Sequence, residues 1–171
     1  MRNTARAGPG TTGPAPAPVT LADLIQQPRF ASPGQEAVLN VFATASWASG
    51  EIAAALAPHG VTQAQYNVLR ILRGRHPACH TCSDIGERLL DRTPDVTRLL
   101  VRLERRGLVS RRRAEHDRRV VEVQITDAGL DLLESLDGPV EQTIGRITRH
   151  LDGGELAVLS DLLEKLRTDQ E

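Results

Sequence analysis

Aromatic side chains are nearly missing from this sequence. Phe30, Phe42, Trp47 and Tyr66 are the whole set, 2% of 171 residues. Readers of RNA or single strands stack bases on aromatic rings, so this composition argues against that class. Lysine is scarcer still, with Lys165 alone among 21 basic residues. Two cysteines do not make a disulfide framework in a chain of this size, which leads us to expect a cytoplasmic setting. No apolar run approaches the roughly 20 residues that span a bilayer, and the N-terminus lacks the apolar stretch of a secretory signal. No Gly-rich phosphate loop, nucleophile elbow or His-Glu-x-x-His motif is present, so neither an enzyme nor a bound cofactor is expected.

What is present is unevenly distributed charge. Residues 92–119 hold ten Arg against Asp95, Glu104, Glu115 and Asp117, a net of +6 in a chain whose total is −1. The segment 126–171 has eleven acids and four bases, a net of −7. A basic pole of this kind attracts a phosphate backbone and makes affinity salt-dependent, whereas the acidic pole should stay clear of it. The simpler alternative is a solvated Arg-rich hairpin.

The basic stretch also has a form. Thr93 can cap a helix, Pro94 suits its first position and Asp95 suits the positive helix end. Val96, Leu99, Leu100 and Leu103 recur at spacings of three and four and make one apolar stripe, with Thr97, Arg98, Arg102 and Arg105 falling away from it. Gly107 offers a stop. Leu108–Arg113 and Val120–Ile125 then read as two strands around a charged tip, Ala114–Arg119. A helix followed by a basic hairpin predicts a winged helix.

Upstream, residues 1–20 are Gly-, Pro- and Ala-rich and read as a disordered tail. Residues 21–34 read as a possible short helix, Leu21–Phe30, and a linker. A long helix is expected from Gln35 to Ala57. Thr62–Gln65 is a capping box opening the next helix, with Tyr66, Leu69 and Leu72 inward. The loop 76–80 follows, and Thr81–Asp84 starts a short helix carrying Ile85, Leu89 and Leu90 to Asp91. Two helices joined by a tight turn are the helix-turn-helix arrangement. Thr126-Asp127 caps a further helix whose leucine pattern runs to Leu151, with Gly138-Pro139 expected to kink or interrupt it. Asp152-Gly153-Gly154 precedes a last helix carrying Leu156, Leu159, Leu163 and Leu166.

The expected fold is therefore mostly α with a small β-hairpin wing: a winged helix-turn-helix at about 61–125, flanked by helices at about 35–57 and 126–168. Those flanking helices carry more apolar surface than so small a core can cover. A second copy of the same chain is the simplest cover, and a pair would set two recognition helices one DNA turn apart. Wrapping within one chain is the alternative.

Residues 35–168 resemble the MarR family of bacterial transcriptional regulators. The resemblance is carried in order by VTQAQYNVLRIL, SDIGERLL, TPDVTRLLVRLERRGLVSRRR, EHDRRVVEVQIT and ITDAGLDLL. It implies a homodimer on a pseudo-palindromic double-stranded operator, and a small ligand or oxidation that lowers DNA affinity. Within it, Arg118 matches the wing-tip residue that enters the minor groove, with Asp117 orienting an Arg and Arg119 free to add a phosphate contact. The DNA-binding set expected is Thr93, Asp95, Thr97, Arg98, Arg102, Arg113, Arg118 and Arg119. Arg98 suits guanine, and Thr97 a thymine methyl or a phosphate. Asp95 either accepts from cytosine or serves the helix end, and the second role is favoured. Arg111, Arg112 and Arg113 alternate along a strand, so they cannot all face a duplex.

Two features bear on sensing. Trp47, Tyr66, Arg70 and His59 are the aromatic or polar residues that could line an effector space, or Trp47 and Tyr66 could be ordinary core. His76, Cys79, His80 and Cys82 fall within seven residues. They allow a crowded metal site, a thiol switch, or plain structural cysteines, the last being favoured. A thiol- or metal-sensing winged-helix regulator is thus the alternative function, and a protein-binding adaptor on the same fold is a third.

Overall fold

Among the described residues four helices open on a reciprocal capping box: Thr20 with Asp23, Thr62 with Gln65, Thr81 with Asp84, and Asp152 with Glu155. In each, the cap side chain takes an orphan N–H of the first turn and the third residue returns the bond, so these starts are fixed locally before any packing. The computed structural model describes residues 19–90, 95–114, 117 and 119–168. In chain order the elements are α1 (Leu21–Ile25), α2 (Pro33–Leu56), a 3-10 turn (Ala57–His59), α3 (Gln63–Arg73), β1 (His80–Thr81), α4 (Cys82–Arg88), α5 (Val96–Arg105), β2 (Val109–Arg113), β3 (Val121–Ile125), α6 (Asp127–Thr148) and α7 (Gly153–Leu166). Two units, Met1–Ala45 and Ser46–Glu171, separate within α2.

In the first unit, α1 stops at Ile25 rather than Phe30, because Gln26 turns into the left-handed region at φ 54°. The start of α2 is set by Ser32, whose hydroxyl accepts from the Gln35 N–H, while the Gln35 side chain accepts from the Ala31 N–H. The helix begins two residues before the expected Gln35, since Pro33 is well suited to a first turn.

The second unit holds the core. Leu56, Val68, Leu69, Leu72, Ile85, Leu100, Leu103, Val123, Leu133 and Leu136 are buried together. Burying each leucine contributes about 2 kcal/mol. The sheet has the order β1-β3-β2, all antiparallel, with Val109 opposite Ile125 and Arg113 opposite Val121. On its other side β3 pairs with β1, His80 facing Val123.

Several expectations need correction. β1 stands where a loop is expected, because two residues carry no alternation to detect. α4 ends at Arg88, Leu89 turns extended, and Leu90 is 90% exposed instead of facing the core. The cap of α5 is Asp95, not Thr93: the helix starts at Val96, and the Asp95 carboxylate accepts from the Arg98 N–H at 3.1 Å. α6 runs unbroken through Pro139. Buried Leu136, Val140 and Thr143 hold the helix on both sides of that residue, which offsets the hydrogen bond proline removes.

One glycine cannot be replaced without movement. A Cβ on Gly129, in the first turn of α6, would lie 2.3 Å from the Leu108 carbonyl oxygen and 2.7 Å from Ile125 Cγ1. Just before it, Thr126 donates its hydroxyl to the Gly107 carbonyl at 2.7 Å and its N–H to Leu108. The end of β3, the turn after α5 and the start of α6 therefore meet at backbone distance.

Candidate nucleic-acid interface

The apolar stripe read from the sequence is the inner face of α5. Leu99, Leu100 and Leu103 are buried, while Thr97, Arg98, Arg102 and Arg105 are exposed. The helix thus buries three leucines and leaves its arginine face in solvent. Asp95 is exposed but its carboxylate is engaged as the cap, which favours the helix-end role over base contact. Thr93 and Arg118 lie outside the described residues.

The hairpin is tied to this helix by a pair that sequence reasoning missed. Arg111 Nε donates to Glu104 at 2.8 Å, and the same carboxylate takes a second guanidinium N–H. The hydrogen bond from Arg111 holds the Glu104 carboxyl below the usual carboxylate range. An acid on the helix, a glycine stop and an Arg seven positions on were the available signal. Arg112 leaves on the other strand face, 2.8 Å from Glu122 and with a guanidinium nitrogen 3.9 Å from Cys79 Sγ. Arg113 and Arg119 are exposed. Arg111 and Arg112 are therefore held by carboxylates, on opposite strand faces as alternation requires. Asp117 organises the hairpin: its carboxylate accepts from the Arg119 N–H at 2.9 Å, and its carbonyl from the Val120 N–H. Among the described residues it holds backbone rather than a guanidinium.

The residues singled out for sensing separate. Tyr66 is buried in the core, with the Arg70 guanidinium 5.8 Å over its ring. Together with Arg73, Asp137, Glu141 and Ile144 they line a groove of about 540 Å³ between α3 and α6. Arg73 donates to both oxygens of Asp137 there, at 2.9 and 3.2 Å, which raises its already high pKa. Trp47 and His59 do not line that groove, and Trp47, 52% exposed, is not core either.

The Cys–His segment does not close on an ion: among the described residues no three His, Cys, Asp or Glu side chains converge. Cys79 and Cys82 are free thiols, both partly exposed. His80 lies between them on β1, buried, with no hydrogen bond of good geometry to either ring nitrogen among the described residues. Burial lowers its pKa, aided by the charges of Arg88 and Arg75 and opposed weakly by Asp84 and the Ile71 backbone. The unfolded chain therefore takes the proton first. Stability should be flat above the ordinary imidazole pKa of about 6.5 and fall as pH drops below it. Urea midpoints at pH values of about 7.5 and about 5.5, on either side of that pKa, are expected to differ in the unchanged protein, and His80→Leu should shrink that difference. An equal difference in both would rule out His80 as its source.

This arrangement has counterparts among known proteins. A sequence model of the MarR family matches residues 59–120. The chain is similar to the crystallised MarR transcription factor from Planctomyces limnophilus, at 42% identity over 80% of this chain and 98% of that one, TM-score 0.63. It is also similar to a mutant MarR from E. coli complexed with operator DNA, at 29% identity over 74% of this chain and 89% of that one, TM-score 0.67. Among curated proteins, the uncharacterized HTH-type transcriptional regulator YdgJ of Bacillus subtilis is 30% identical over 64% of this chain, which spans 66% of that protein's length.

Proposed function

This chain belongs to the MarR family of DNA-binding transcriptional regulators, and from that premise we propose that it is a homodimeric, cytoplasmic repressor of a pseudo-palindromic operator, released by a small effector. The observation that carries the DNA mode is the exposed arginine face of α5, held against a basic hairpin by Arg111 and Glu104. In this reading α5 enters the major groove with Thr97 and Arg98 foremost, and the hairpin reaches the flanking minor groove through Arg118. The E. coli MarR complex with operator DNA supports it by analogy. Capping by Asp95 already places a carboxylate on the positive end of α5, so the attraction for phosphate comes from the arginines and not from the helix end.

A pair is supported by the apolar side chains that the described chain leaves in solvent: Val158, Leu162 and Leu166 on α7 are 58%, 59% and 58% exposed. The effector reading rests on the groove between α3 and α6, where Arg70 over Tyr66 offers charge and an aromatic wall to an anionic ring compound. A sensor using Cys79 and Cys82 remains the second reading, favoured by two free thiols, of which Cys79 lies 3.9 Å from an Arg112 guanidinium nitrogen.

Arg98→Ala tests the mode of DNA reading. It is expected to cost about 1–3 kcal/mol on the preferred duplex and little on unrelated sequences, because a base contact is lost rather than a general charge. Binding isotherms on a duplex selected from a random pool, and on a shuffled version, measure both. An equal loss on the two would contradict base reading by Arg98.

A further inference from the structure

Two helix C-termini meet where the end of α5 reaches the turn after α2. The first is the end of α2 and its 3-10 turn, which stops at Gly60 in the left-handed region, φ 66°. The second is the end of α5, which stops at Gly107 in the same region, φ 69°. Both ends present carbonyls and the negative pole of a helix, so their approach is unfavourable unless a cation lies between. Arg106 supplies it. As the residue that closes α5, it sends one guanidinium nitrogen to the Gly60 carbonyl at 2.7 Å and the other to the His59 carbonyl at 3.1 Å. One planar fork thus takes two carbonyls from a turn 46 residues away in sequence. A lysine, with a single donor centre, could not span both in the same way.

The position matters because of leverage. Arg106 sits nine residues after Thr97, so about 13 Å separates the strut from the DNA-facing start of the helix. Without this strut, a tilt of only ~5° about that end would move Thr97 and Arg98 by about 1 Å, enough to spoil a base-edge hydrogen bond. We propose that Arg106 is a positioning residue for operator recognition: it locks the exit of α5 to the α2–α3 elbow and so sets the angle at which the reading face meets the duplex. It touches no DNA itself. This inference rests on α5 being the reading helix, so the test carries a control for that premise.

The test compares the unchanged protein with Arg106→Ala, Arg106→Lys and Arg98→Ala. Each is titrated at several salt concentrations against a duplex selected from a random pool by the unchanged protein, and against a shuffled duplex of equal length. Arg106→Ala is expected to weaken the selected duplex about tenfold while leaving the shuffled duplex and the salt slope unchanged, since no phosphate contact is lost. Arg106→Lys keeps the charge but not the fork and should fall between; it also serves if the alanine variant does not fold. A change in salt slope of about one would overturn the proposal in favour of a direct phosphate contact. Unchanged discrimination in the Arg106 variants, with discrimination lost in Arg98→Ala, would overturn it as well. If Arg98→Ala is also without effect, the premise that α5 reads bases is what fails.

Discussion

With the chain paired through α7 as proposed, Leu162→Asp is expected to split the protein into single chains and to weaken binding to its operator about 100-fold or more. Leu162 lies on α7 among Val158, Leu159 and Leu166, all exposed, and together they form a stripe at helical spacing that nothing within the described residues covers. A charge at the centre of an apolar contact loses its hydration without gaining a partner, and a symmetric interface repeats the penalty on the other copy. The effect on DNA follows from linkage: with two reading heads joined, the second binds at high effective concentration, and separation removes that gain. The fold should be spared, because the side chain is already in solvent in the single chain. Sedimentation would show halved mass with an unchanged helical circular dichroism spectrum. A variant that stays paired, or a single chain that binds the operator as tightly, would refute this role for α7.

Gly129→Ala is expected to destabilise the fold by about 3 kcal/mol, although Gly129 is not among the residues proposed to touch DNA. The added methyl would meet the Leu108 carbonyl oxygen at 2.3 Å and Ile125 at 2.7 Å. The first of these is backbone, so relief requires moving α6 away from the turn that joins α5 to β2. That motion would strain the Thr126 bonds to Gly107 and Leu108 as well. Urea unfolding would report the loss as a lower midpoint at unchanged slope. A change below about 0.5 kcal/mol would mean that the junction is soft.

The parts of this fold that are legible in the sequence are those governed by local chemistry. Thr62, Thr81 and Thr126 cap helices as their neighbours indicate, and the stripe of Leu99, Leu100 and Leu103 lies inward as its spacing requires. The two long strands fall within one residue of their expected limits. What escapes is long-range. β1 exists only because β3 offers it an edge, and two residues leave no period to read. Leu90 looks like core by composition, yet the chain turns away at Leu89 before it could pack. Pro139 carries an intrinsic cost that is plain in the sequence, while the packing that offsets the cost comes from elsewhere in the chain.

The same division holds for the interface. The charge of residues 92–119 and the outward arginines of α5 are readable without coordinates. Which arginines are engaged is not: Arg111 is held by Glu104, Arg112 lies beside Glu122, and Arg106 spans two carbonyls of a distant turn. Each of these pairings depends on how elements apart in sequence come together, and identical residue types in one short run end in different roles. The grouping of Tyr66 and Arg70 without Trp47 is of the same kind, since it requires α6 to supply the facing wall.

The central claim is that two copies of this chain present their arginine-bearing helices to one stretch of duplex. The mass of the complex with the selected duplex, measured in solution at moderate salt, tests it most directly. Two chains per duplex, with a binding constant that falls steeply as salt rises, is the expected result. One chain per duplex, or a complex indifferent to salt, would contradict it.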